Sequence, residues 1–410
     1  MSLKDDICIT GYGVTSPLGN DIAAFDAGLF GGQSAVRGEA LDIPGSDGLR
    51  VPLARCDFDA SAIRAPSRLP LDRGSAMALA AAEWAWAASG LQDHAIDADR
   101  FGIYWGSGMG GAATFEATCR GLFAEGKRIR PTSIVTGMPN APLAELALRF
   151  GARGAAVCYA CACASAAVAV GEALRALRGG WLDVAIVGGS EALLSPGMVG
   201  AWQAMRVLAP APEGAGEHAC RPFAADRAGF ALGEGAAALV IETAAHARAR
   251  GAAGRLRLSG YATNCDATHI TQPDSTGQAR AMNAALLDSG LVAADVGHVN
   301  AHGTATLAGD AAEAESIRRV FAATPPAVTA TKAIIGHTLG AGGALELVAA
   351  VRALELQAAP PTGHTGTLAP GMDIDLVRGS ARALPSLRHA MSNSFAFGGT
   401  NAVLIVSLTD

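Results

Sequence analysis

Three side chains in this 410-residue sequence have the types and settings that catalysis needs: Cys163, His302 and His337. Cys163 lies within residues 157–171, where strand-like small and apolar residues run into a helix over 166–177 that Gly179-Gly180 ends. Free backbone N–H groups and the positive end of the macrodipole favour a thiolate at a helix start. Cys163 is therefore a candidate nucleophile; the plainer alternative is a small buried hydrophobe. His302 (Ala301-His302-Gly303) and His337 (Gly336-His337-Thr338) sit in glycine-rich loops, where the backbone can come close to a substrate. One Cys and two distant His suit acyl transfer through a thioester. Two imidazole donors aimed at one oxygen would stabilise a developing enolate, although a His taken alone is more often structural. Lys332 and Glu346 flank His337 and could hold its loop in place, or form an ordinary salt bridge.

These residues need elements to position them. Strand-like runs at 7–11, 101–105, 183–189 and 236–242 alternate with helical runs at 20–30, 75–89, 138–150 and 166–177. Residues 11–19 read as a glycine-punctuated loop. The same grammar recurs after Gly251-Ala-Ala-Gly254: strand-like runs at 256–261, 299–303, 328–332, 391–395 and 402–407, and helical runs at 278–289, 310–321 and 344–356. The alternation predicts an α/β fold with largely parallel sheets, and the repetition predicts two similar halves, 1–252 and 253–410. Functional groups then belong at the carboxyl ends of strands, where Cys163, His302 and His337 fall.

Composition narrows the class. Half the residues are hydrophobic and 17% are charged, fewer than the roughly 25% of typical soluble domains. The net charge of −6 does not suggest a nucleic-acid partner. No run reads as a membrane helix or secretory leader, so a soluble, cytoplasmic protein is expected. Five of the eight cysteines are scattered, as in reduced proteins. Cys158-x-x-Cys161 lacks a second CxxC or a nearby His to complete a metal set.

Four blocks stand in a telling order: Ala162-Cys163-Ala164-Ser165; residues 300–306, Asn-Ala-His-Gly-Thr-Ala-Thr; residues 331–343, Thr-Lys-Ala-Ile-Ile-Gly-His-Thr-Leu-Gly-Ala-Gly-Gly; and residues 392–401, Ser-Asn-Ser-Phe-Ala-Phe-Gly-Gly-Thr-Asn. Together they resemble the β-ketoacyl-acyl carrier protein synthases of Cys-His-His type, nearest the synthase II kind, over almost the whole chain. The resemblance implies a thiolase-like fold, with duplicated halves in five α/β/α/β/α layers, and a homodimer. It implies a 3-oxoacyl-[acyl-carrier-protein] synthase of fatty acid elongation that needs no metal or organic cofactor. Cys163 would carry the acyl chain, and His302 and His337 would stabilise the enolate of malonyl carrier protein after carbon dioxide leaves. The N–H groups of Cys163 and Phe397 would form the oxyanion hole. Lys332 with Glu346 would orient His337, Phe397 would act as a gate, and Thr304 and Thr306 would support the site. Met109 would bound the acyl pocket. The acidic acyl carrier protein would dock on Arg206, Arg68, Arg64, Lys127 and Arg128. Ala166 and Ala396 stand where the family often has glycine, which predicts a stiffer gate. Two alternatives are weaker: a coenzyme A thiolase would carry a late second cysteine, whereas the last here is Cys265, and a non-catalytic chain-length factor would lack Cys163. A dedicated ketosynthase of a polyketide or aryl polyene pathway shares the chemistry and stays open.

Overall fold

A computed structural model describes residues 6–41, 48–252 and 254–409. Ten strands build the central sheet: β1 (Ile7–Thr15), β2 (Phe101–Gly106), β3 (Ala156–Tyr159), β4 (Val184–Glu191), β5 (Gly235–Thr243), β6 (Leu256–Cys265), β7 (His298–Asn300), β8 (Ala327–Thr329), β9 (His389–Phe395) and β10 (Thr400–Leu408). Their order is β8-β7-β9-β10-β6-β1-β5-β4-β2-β3. From its outer edge inward, each set of five therefore runs third, second, fourth, fifth, first. The directions match as well. In both sets the third–second and second–fourth pairs are parallel, and the fourth–fifth and fifth–first pairs are antiparallel. Among the described residues, the strands of the two sets pair through Cys8–Arg257 and Ile9–Leu256.

The sheets are thus mixed, not largely parallel as the strand–helix alternation predicts. β10 follows β9 through the short turn 396–399, and so tight a connection returns the chain antiparallel. The first strand of each set also carries the same irregularity. Thr10 and Ser259 are bulged out of the pairing, and each is followed by a glycine. A Cβ at Gly11 would lie 2.1 Å from the Ala85 carbonyl, and one at Gly260 would lie 2.7 Å from the Ala285 carbonyl. The repeat thus extends to the glycine that lets a helix lie on its strand.

Six helices complete the layers: α1 (Arg73–Ser89), α2 (Ala141–Phe150), α3 (Ser165–Arg178), α4 (Ser275–Ser289), α5 (Leu307–Phe321) and α6 (Gly342–Leu356). Side chains alternate across each strand. Ala185 and Val187 of β4 join the core around α3 and α6, whereas Val184 and Ile186 face α1 and α2. In β10, Ala402, Leu404 and Val406 face the same central helices, and Val403 and Ile405 face α4 and α5. The result is the expected α/β/α/β/α stack. α3 and α6 lie between the two five-stranded halves of the sheet, so most of their residues are buried. Small residues let this layer pack tightly: a Cβ at Gly171 would lie 2.2 Å from the Tyr261 ring.

Two local readings change. β1 continues through Gly11–Val14, read above as loop, because β5 pairs with it up to Thr15. The strand expected over 328–332 stops at Thr329, and Lys332–Ile335 form a short helical turn. Gly251 and Gly254, the expected boundary between halves, flank Ala253, which lies outside the described residues.

Candidate active site

The nucleophile candidate sits on a strained turn. Ala162 has φ of 48°, a left-handed conformation that costs an L-residue energy. It opens a single turn, Ala162–Ala164, that leads directly into α3. Ser165 Oγ braces the turn, accepting from the Cys161 N–H at 2.9 Å and donating to the Ala162 carbonyl at 2.6 Å. The other half repeats the device. Leu339, also at φ 48°, opens the turn Leu339–Ala341 before α6. Gly340 is thus the counterpart of Cys163, and His337 lies just upstream.

The structure brings the three predicted residues together. His337 Nε2 is 3.1 Å from Cys163 Sγ. The His302 and His337 rings lie 5.4 Å apart, nearly perpendicular. All three residues are buried and open on one cavity, also lined by Trp202, Phe230 and Phe397. The Leu339 N–H donates to His337 Nδ1 at 3.3 Å. Lys332 Nζ, which has only hydrogens to offer, lies 3.3 Å from His302 Nδ1. Both Nδ1 atoms are therefore acceptors, and both Nε2 atoms carry hydrogen. The sulfur and one ring nitrogen of each His lie within 4.8 Å of one another, compact enough for a metal ion. A metal ligand needs a lone pair, however, and the N–H-bearing Nε2 atoms have none to give.

The Lys332–Glu346 pair forms as expected, fully buried, with Thr331 Oγ1 donating to the same carboxylate oxygen at 3.3 Å. Its target differs. Lys332 was expected to orient His337, but its ammonium lies on His302. The helical turn that replaces the expected strand end carries Lys332 to that side, and a backbone N–H orients His337 instead.

Burial dominates the electrostatics. It holds both imidazoles neutral, well below the ordinary histidine value, and Lys332 pushes the same way. It pushes Glu346 up to about 7 against the pull of Lys332. It also pushes the Cys163 thiol up to about 11, although Lys332 and the Phe397 N–H favour the thiolate. This reverses the lowered value expected from the helix start: a buried cysteine, 6% exposed as a residue, loses more from desolvation than these partners return.

Several contributors were not evident in the sequence. The Glu313 carboxylate accepts the His302 and Gly303 N–H groups, each at 2.7 Å, and fixes the His302 loop. Glu191 does similar work at Ser107–Met109 and Gly340. Acids inside otherwise apolar stretches were the available signal. Phe397 stacks on Trp202 with centroids 6.2 Å apart, and Trp202 meets Phe230, whose edge faces His337.

Other expected residues divide. Thr304 and Thr306 line the cavity, their hydroxyls 2.9 Å apart. Arg206 is exposed between Met205 and Val207, two lining residues, and so stands at the cavity's edge. Arg68, Arg64, Lys127 and Arg128 are exposed but do not line the cavity, and Lys127 pairs with Glu125. Met109 does not bound the cavity of Cys163. It is 46% exposed and lines a separate surface hollow with Phe115 and Met198, because its loop is tied back through Glu191. Ala396 has no left-handed φ, whereas Gly398 and Gly399 have φ of 87° and 79°. The turn's conformational demand thus falls on the two glycines. Ala166 fits because Gly106 and Gly189 leave room for it.

Residues 4–247 match the β-ketoacyl synthase N-terminal domain and residues 256–366 the C-terminal domain. This chain belongs to the β-ketoacyl synthase family. As a family member it is a condensing acyltransferase. It is 37% identical over 406 residues to "Nodulation protein E" of Rhizobium sp. (strain N33), covering 97% of this chain and 98% of that protein. It is 36% identical over 412 residues to "3-oxoacyl-[acyl-carrier-protein] synthase 2" of Staphylococcus aureus (strain COL), covering 99% of each. Among solved structures, a type II PKS acyl-carrier protein in complex with its ketosynthase, bound to the hexaketide, contains a chain that superposes with a TM-score of 0.90 at 26% identity, covering 99% of each chain.

Proposed function

We propose that this protein is a 3-oxoacyl-[acyl-carrier-protein] synthase that joins malonyl carrier protein to an acyl chain held on Cys163. The observation that carries this reading is the pairing of a buried cysteine with two neutral imidazoles that both present Nε2–H. A hydrolase would need an imidazole as base. A decarboxylative condensation does not, because departing carbon dioxide leaves the carbanion behind.

In the first half-reaction the acyl group passes from the carrier thioester to Cys163 Sγ, and the thiol proton leaves with the carrier thiol. The N–H groups of Cys163 and Phe397 meet the oxyanion. In the second, malonyl thioester loses carbon dioxide, and His302 and His337 donate to the enolate oxygen while its carbon attacks the acyl thioester; the acyl C–S bond then breaks, Cys163 leaves as the thiolate and takes a proton from water, and the 3-oxoacyl chain stays on the carrier. Lys332 and Glu346 hold His302. Phe397 turns between the half-reactions on Gly398 and Gly399. The carrier protein approaches along the exposed Arg206 at the cavity's edge; that a structurally similar polyketide ketosynthase is found in complex with an acyl-carrier protein supports a partner of this kind. A cytoplasmic homodimer is the working form.

A second reading, a ketosynthase dedicated to a polyketide or aryl polyene, draws support from the likeness to nodulation protein E and to a polyketide ketosynthase. One experiment tests both. Acyl carrier proteins bearing chains of graded length and unsaturation are incubated with wild type and Cys163→Ala, and intact masses are taken. Acylation of the wild type alone supports the nucleophile. Acceptance of saturated chains favours fatty acid elongation, and acceptance of only polyene or β-polyketo chains favours the second reading. Acylation that survives in Cys163→Ala refutes the assignment.

A further inference from the structure

Glu191 ends β4 behind the nucleophile turn and is 1% exposed. Its Oε2 accepts the Gly108 N–H at 2.6 Å and the Gly340 N–H at 3.1 Å. Its Oε1 accepts the Met109 N–H and the Ser107 hydroxyl, each at 3.2 Å. One carboxylate thus gathers four donors from two segments that belong to opposite halves of the repeat.

Both segments touch the site. A Cβ on Gly108 would lie 3.7 Å from the carbonyl of Ala162, the residue before Cys163. Gly340 belongs to the turn whose first N–H, that of Leu339, fixes His337 Nδ1. The carboxylate also explains two glycines. A Cβ on Gly108 would lie 2.7 Å from Glu191 Oε2, and one on Gly340 would lie 2.4 Å from it. No cation pairs with Glu191 among the described residues; burial pushes its carboxyl up to about 7 although the N–H and O–H donors favour the charged form, so it is largely ionised at mildly alkaline pH.

We propose that Glu191 is a positioning residue for the reaction: by tying Ser107–Met109 to Gly340 it sets the Cys163 turn against His337. The charge has a second effect. It lies near enough to Cys163 to disfavour the thiolate, so Glu191 fixes geometry at some cost in sulfur reactivity. This inference rests on Cys163 being the acylated residue.

The test is Glu191→Gln, with the uncharged amide presenting its own N–H groups where an acceptor is needed. Two rates are read on folded protein: acylation of Cys163 by an acyl carrier protein in a single turnover, and alkylation of Cys163 by iodoacetamide at one mildly alkaline pH. Misplacement of the reacting pair should slow acylation by about 10- to 100-fold. Loss of the negative charge should at the same time speed alkylation, because more thiolate is present. A merely structural role would not drive the two rates apart. Acylation at the wild-type rate, or a loss of acylation with alkylation unchanged or slower, would overturn the proposal. If Glu191→Gln does not fold, Ser107→Ala removes one of the four donors and must slow acylation severalfold, or the proposal fails. Wild-type protein that is never acylated would instead defeat the functional reading itself.

Discussion

At Cys163 two physical effects oppose each other. Burial disfavours the thiolate, whereas Lys332 and the Phe397 N–H favour it. With the thiol pushed up to about 11, alkylation of Cys163 by iodoacetamide should rise about tenfold per pH unit from neutrality to beyond pH ~9. A plateau near neutrality would mean that the thiolate is already formed and that burial has been overestimated. The two histidines behave oppositely: both are neutral well below the ordinary histidine value, so their donor role survives mild acid. Lys332 and Glu346 depend on each other. Lys332→Ala leaves a buried carboxylate without its cation, and removing one partner of such a pair costs about 3–5 kcal/mol. Adding Glu346→Gln removes the orphaned charge and should restore much of that loss. Chemical denaturation of both variants decides this, and a double variant less stable than Lys332→Ala would sink it.

At the scale of elements, α3 ties packing to chemistry. It begins two residues after Cys163 and lies on Tyr261 of β6 through Gly171. Gly171→Ala places a methyl inside the Tyr261 ring, and overpacking of this kind costs about 1–3 kcal/mol. The melting temperature should fall by several degrees, and Cys163 acylation should slow because the turn carrying it leads directly into the helix that must shift. Full stability with wild-type acylation would show that the central layer yields locally. The gate turn shows the converse. Ala396 lines the cavity but needs no unusual φ, so Ala396→Gly relieves no backbone strain and should leave the rate of condensation within about twofold of wild type. A large acceleration measured by product formation would revive the idea of a gate stiffened by alanine.

For the whole molecule, the common 3-2-4-5-1 order, the matching bulges at Thr10 and Ser259, and the paired left-handed residues Ala162 and Leu339 describe one unit used twice. The copies have diverged in role. One turn carries the cysteine, and its counterpart carries Gly340 beside His337, so the site exists only where the halves meet. Net charge is −6, so an acidic carrier protein must be met locally by basic groups. Arg206→Glu should raise KM for carrier-bound substrates about tenfold or more and spare small thioester mimics. Equal loss on both would place the effect in the cavity.

Much of the site was legible in the sequence because its parts are local. A cysteine at a helix start, histidines beside glycines, and a glycine-rich turn around Phe397 each announce themselves within a few residues. The repeat of strand and helix likewise implied duplicated halves. What the chain order could not convey was relative placement. Lys332 meets His302 and not His337, because a short turn replaced the end of a strand. Glu191 and Glu313 serve loops that other elements bring to them, and an acid in an apolar run does not say which N–H groups it will accept. Met109 lies away from the cavity because its loop is held from behind. The direction of the Cys163 shift was also hidden. Helix position is written in the sequence, but desolvation depends on every atom packed around the sulfur, and only the tertiary structure decides that.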